Sequence, residues 1–175
     1  MKIAVIVGSL RKESYNRKLA EAIVARLPEG SSVEWVDAQV PLFCEDDEAT
    51  TPESVQRAVD QVVASDAVLF VSPEYNRSFS GVIKNLIDWL SRGSVGYPLD
   101  GKSGAVAGAS MGPIGTAVMQ SQLRPILAHI GMDILALPEV FMSVPSRMSE
   151  LGEPTERAAV ALDTFVDKLL SHITK

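Results

Sequence analysis

The chain has 175 residues, 46% of them apolar and 22% charged, and a net charge of −6 at pH 7. That length suits one domain with a full core, here residues 1–175, and the composition is that of a folded, soluble protein. The acidic balance, with no cluster of Lys and Arg, argues against a nucleic-acid partner, and no apolar run reaches the ~18 residues a membrane span needs. Met1-Lys2 leads directly into a strand pattern, and the single Cys44 has no internal disulfide partner, so a cytoplasmic location is expected.

Strand patterns fall at Lys2–Val7, Ser32–Val36, Ala67–Val71, Ser103–Ala107 and Asp133–Ala136, most of them apolar without polar alternation, as strands covered on both faces read. Helical patterns fall between and after them, at Ser14–Leu27, Pro52–Ala64, Ser80–Ser91, Gly115–Ile130 and Pro154–Ile173. This alternation predicts an α/β fold: a flavodoxin-like three-layer sandwich around a five-stranded parallel sheet in the order 2-1-3-4-5. In such a sheet, ligands sit beyond the carboxyl ends of the strands, where the loops after strands one, three and four converge. The acidic stretch Glu45–Glu48 reads as a solvated loop.

The first of those loops runs from Gly8 to Asn16 and offers Ser9, Arg11, Ser14 and Asn16 as hydrogen-bond donors where a helix begins. Free N–H groups and the helix dipole favour an anion there. This loop fits neither G-x-G-x-x-G nor G-x-x-x-x-G-K-[ST], which points to a mononucleotide held by hydroxyls and backbone amides. The competing reading makes Ser14 an ordinary helix N-cap.

The loop after strand three, Ser72 to Gly81, carries Pro73, Glu74, Tyr75 and Asn76; proline and asparagine suit a stiff, shaped turn that aims backbone N–H groups at a flat heterocycle. In the helix that follows, Leu86, Trp89 and Leu90 fit a core or a subunit interface, and Asp88 and Arg92 stand at ion-pair spacing. The loop after strand four, Gly108 to Thr116, has three glycines, with Ser110 and Gly112 placed to border a ligand. His129 and His172 have no second metal ligand at suitable spacing, and Cys44 lacks a basic neighbour. No metal and no catalytic side chain is therefore assigned, and chemistry supplied by a cofactor is expected.

The segments Gly8-Ser9-Leu10-Arg11-Lys12-Glu13-Ser14-Tyr15-Asn16, Pro73-Glu74-Tyr75-Asn76-Arg77-Ser78 with Gly81 to Arg92, and Ala109-Ser110-Met111-Gly112 resemble the NADPH-dependent FMN reductase family, which includes soluble quinone, azo-dye and chromate reductases. The resemblance implies an NAD(P)H oxidoreductase with one FMN per subunit, a small-molecule electron acceptor, and a homodimer or a tetramer built from two dimers. It implies that Ser9, Arg11, Ser14 and Asn16 surround the FMN phosphate, with backbone contacts from Leu10 and Tyr15. Pro73, Glu74, Tyr75 and Asn76 would hold the isoalloxazine edge, and Ser110 and Gly112 would border the ring from the other side. Arg92 would face a partner subunit's site and attract anionic acceptors. Two other readings stay open: a flavodoxin-type electron carrier without NAD(P)H oxidation, and a binding module that keeps the fold without flavin.

Overall fold

Six strands form one parallel sheet in the computed structural model, which describes residues 1–149 and 152–174. β1 (Lys2–Val7) lies between β2 (Ser32–Val36) and β3 (Ala67–Val71), and β4 (Ser103–Ser110) follows β3. The expected order 2-1-3-4-5 is observed. Alternate residues of the central strands feed two cores. Ala4, Ile6, Val68, Phe70 and Val106 meet α2 (Glu53–Val63), α3 (Gly81–Leu90) and α4 (Ala117–His129) on one face. Ile3, Val5, Leu69, Val71 and Ala105 meet α1 (Tyr15–Val24) and α6 (Glu156–Ile173) on the other. The apolar runs of β1, β3 and β4 thus have no polar face because both faces are covered.

The last edge differs from expectation. Where one strand at Asp133–Ala136 is predicted, β5 covers only Asp133–Ile134, and a sixth strand, β6 (Val140–Ser143), continues along the same side of β4. Between them Leu135–Glu139 lies opposite only Ala105 and Val106, so the edge bulges. Pro138 has no N–H for the ladder and is tolerated at an edge bulge. Side chains of α4 bind the backbone that the bulge frees: Arg124 Nη1 donates to the Leu135 carbonyl (2.6 Å) and Gln120 Nε2 to that of Val140 (2.7 Å). Burial pulls the Arg124 guanidinium below its ordinary pKa, an effect that Glu139, 3.7 Å away, opposes. β6 extends the pairing of β4 to Ser110, three residues past the predicted end at Ala107, and so braces the loop that follows. A short helix, α5 (Val144–Arg147), follows β6.

The helices start and stop within about one turn of the predicted bounds. α1 ends at Val24 rather than Leu27 because its chain tightens into i→i+3 bonds, Arg26 to Ile23 and Leu27 to Val24, ahead of Pro28. In α3, Ile83, Leu86, Ile87, Trp89 and Leu90 are all buried within the chain. Trp89 meets Phe43 edge-on at 5.0 Å and donates to the Pro41 carbonyl (2.9 Å), so these residues are core. Of the two readings, core or subunit interface, Leu86, Trp89 and Leu90 follow the first, with the strand-two loop covering Trp89. The Asp88–Arg92 ion pair is not formed. Asp88 pairs with Lys84 (2.7 Å), while Arg92 stacks on Phe43 at 4.6 Å and donates through Nε to the Asp88 carbonyl. Among the described residues, no helix is long and apolar enough to cross a membrane.

Candidate active site

Gly8 ends β1 with its N–H bonded to the Val71 carbonyl, and it lies so close to α3 that a side chain there would strike Ile83 and Ser80. The chain then turns through Ser9–Glu13 into α1. Among the described residues, none of the backbone N–H groups from Ser9 to Asn16 makes a well-formed hydrogen bond within the chain. Such a run of free donors at a helix N-terminus is an anion-binding concavity. Arg11 forms no ion pair among the described residues, and its guanidinium lies 5.7 Å from the Tyr15 ring. Ser14 is the N-cap: its Oγ accepts the Arg17 N–H (3.2 Å), which leaves the hydroxyl proton free to donate. Both readings of Ser14 are thus compatible.

Two side chains bind the three loops together. Asn16, 4% exposed, clasps Ala109 at the end of β4: its Nδ2 donates to the Ala109 carbonyl (2.9 Å) and its Oδ1 accepts the Ala109 N–H (2.8 Å). Glu74 Oε2 accepts the Met119 N–H (3.0 Å), capping α4, whose N-cap residue Thr116 makes no side-chain cap bond. The loop after β3 is thereby fastened to the helix after β4. Ser110 acts within its own loop, donating to the Gly115 carbonyl (2.6 Å) and accepting the Gly112 N–H (3.3 Å).

The loops enclose a cleft of about 220 Å³. Of the sequence-predicted residues, Ser9, Arg11, Ser14, Tyr15 and Asn16 line it from the first loop, Pro73, Glu74 and Tyr75 from the second, and Ser110 from the third. Asn76 and Gly112 line an adjoining cavity that shares Glu74, Ser110 and Met111 with the cleft. Leu10 is not among the cleft's lining residues; it lines a cavity of about 430 Å³ at the carboxyl ends of β1 and β2, which shares Ser9 and Arg11 with the cleft and where Arg17 stacks on Trp35 at 3.6 Å. Arg92 lines none of these cavities; in a single chain it belongs to the α3–Phe43 contact. Ala109 and Met111 line the cleft without having been singled out, and the signal that could have found them is their position on either side of Ser110.

A model of the family described as NADPH-dependent FMN reductase matches residues 1–149. The chain belongs to this family. It is 40% identical over 171 residues to a 2-hydroxy-1,4-benzoquinone reductase of a Burkholderia species, covering 96% of this chain and 93% of that one. It is 39% identical over 174 residues to a quinone reductase of Pseudomonas putida, covering 98% and 94%. A flavoenzyme NAD(P)H:(acceptor) oxidoreductase from Paracoccus denitrificans superimposes with a TM-score of 0.91 at 37% identity, over 99% of this chain and 97% of that one. As a member of the NADPH-dependent FMN reductases, the chain is an oxidoreductase that works with FMN and a reduced nicotinamide. The donor set suits that flavin: backbone amides, a hydroxyl and a guanidinium without an ion pair among the described residues match a terminal phosphate, and Tyr75 and Ser110 stand on the cleft's other walls.

Proposed function

We propose that this chain passes two electrons from NAD(P)H through FMN to quinones, with azo compounds, free flavin and metal oxyanions such as chromate as further acceptors. The observation that carries the reading is the run of unbonded N–H groups from Ser9 to Asn16, which opens into a cleft whose other walls are the loops after β3 and β4. FMN, when bound, accepts a hydride and releases two electrons to a second substrate. The chain's own residues hold and orient it. Ser9, Arg11 and Ser14 bind the phosphate with the amides of Leu10 and Tyr15; Pro73 to Asn76 meet the ring edge largely through main-chain groups; Ser110 and Gly112 shape the opposite wall. Asn16 positions the first loop against the third. Glu74 ties the second loop to α4, which keeps the ring slot rigid. The overall reaction is NAD(P)H + H⁺ + quinone → NAD(P)⁺ + hydroquinone. No side-chain acid is assigned, since water can deliver the second proton. The names of both quinone-reducing relatives support quinones as acceptors.

The protein is expected to purify yellow and to release FMN, identified by mass spectrometry, because the run of free donors from Ser9 to Asn16 suits a terminal monophosphate. FAD as the only released flavin would sink the assignment. Steady NAD(P)H oxidation with a quinone separates an enzyme from a flavodoxin-type carrier, which would show almost none.

A homodimer, or a tetramer built from two dimers, completes the proposal. Leu10 and Leu42 are exposed beside half-buried Val82 around a cavity of about 440 Å³, a surface suited to a second copy. Arg92 takes part in acceptor binding only across such a boundary. Light scattering at micromolar concentration is expected to give at least the dimer mass; a monomer would refute the assembly.

A further inference from the structure

We infer that Arg77 is a specificity-determining cation for the second substrate and favours quinones that carry a negative charge, an assignment that rests on the reductase reading above. Tyr75 and Ser78 close a tight hairpin through reciprocal backbone bonds of 2.9 Å, with Asn76 and Arg77 at its tip. These two residues have φ of +50° and +66°. Hairpin turns with both central residues in the left-handed region favour Asn followed by Gly. Asn76 follows that preference, whereas Arg77 holds a large side chain where glycine is the relaxed choice. A strained residue beside a binding cleft points to a use for its side chain.

The hairpin is held firmly. Gln122 of α4 donates from Nε2 to the Arg77 carbonyl (2.8 Å) and accepts from Ser78 Oγ (2.7 Å). The base of the Arg77 side chain is thus fixed, while the side chain itself is 69% exposed. It lines a cavity of about 570 Å³ with Met111 and Ile114, both exposed apolar residues. This cavity shares Glu74, Ser110 and Met111 with the cofactor cleft, so a molecule in it abuts the flavin position.

Arg77 is the cation among the cavity's lining residues, and Glu74 is the anion. Glu74 is turned inward, 8% exposed, with Oε2 held by the Met119 N–H and Oε1 3.7 Å from Arg77. That separation is too long for a hydrogen bond, which leaves the guanidinium able to turn to a ligand. An apolar wall beside a loosely paired guanidinium suits a flat ring with an anionic substituent, such as a quinone bearing an ionised hydroxyl or carboxylate. In its reduction two electrons and one proton come from NAD(P)H and the second proton from water, and the ionised substituent is unchanged.

The test uses FMN-loaded protein with 2-hydroxy-1,4-naphthoquinone, ionised at neutral pH, and neutral 1,4-naphthoquinone. The readouts are the ratio of kcat/KM for the two quinones and calorimetric binding of the hydroxynaphthoquinone to oxidised protein without nicotinamide. In Arg77→Gln and Arg77→Gly both the ratio and the anion's affinity are expected to fall about 5- to 10-fold, and Arg77→Lys to recover most of the loss. Arg77→Gly relaxes the turn, so its thermal stability should equal or exceed the parent's and a loss there is not misfolding. A ratio within roughly twofold of the parent in Gln and Gly, or a loss in Lys equal to that in Gln, overturns the role of Arg77. Failure to oxidise NAD(P)H with either quinone overturns the reductase reading instead.

Discussion

Asn16→Ala apoprotein is expected to unfold at a temperature roughly 4–16 °C below the parent, on a loss of about 2–4 kcal/mol. The reason is local and complete. Asn16 is 4% exposed and spends its amide on both backbone groups of Ala109, 93 residues away, at 2.9 and 2.8 Å. Alanine removes two buried bonds and leaves the Ala109 N–H and carbonyl without partners, and an unsatisfied buried group costs more than the bond itself was worth. The resemblance implies a direct contact with the phosphate, and the clasp leaves one of the two Nδ2 protons free for it. The effect on FMN is expected to combine the loss of that donor with a loosened first loop. Differential scanning calorimetry of the apoprotein checks this, and a transition within about 1 °C of the parent would show that the clasp contributes little.

Ser14→Ala is expected to weaken FMN binding roughly 10- to 100-fold, the worth of one hydrogen bond to a charged phosphate, and to lower apoprotein stability by about 1 kcal/mol through loss of the N-cap. The two effects are separable, because the Ser14 oxygen accepts the Arg17 N–H while its proton is free for an anion. Ser14→Asp keeps a capping acceptor and suits the helix dipole, yet sets a carboxylate against the phosphate. That variant should therefore melt at or above the parent temperature and fail to retain FMN. Flavin-fluorescence titration of the apoproteins measures the affinities. Parental affinity in Ser14→Asp would place the phosphate elsewhere.

The sheet order, the principal helices and the convergence of three loops were legible in the chain because they rest on local periodicity. Apolar runs without alternation mark strands covered on both faces, and strict alternation with helices leaves a parallel sheet as the economical arrangement. The cluster of donors before α1 was legible for the same reason, since it adjoins the helix's own free N–H groups. The tertiary structure decided everything that depends on distant partners. Nothing near Asn16 announces Ala109, and nothing near Glu74 announces the Met119 N–H, 45 residues on, that it caps. The β5–β6 edge was hidden because a two-residue and a four-residue strand around Pro138 carry too little pattern, and side chains of α4 bind the backbone between them. Trp89 on α3 fitted a core or a subunit interface equally well until the strand-two loop, through Pro41 and Phe43, was seen to cover it. Periodicity records which face of an element is apolar; which part of the fold covers that face, and which backbone group a polar side chain satisfies, is determined only when segments far apart in the chain are brought together.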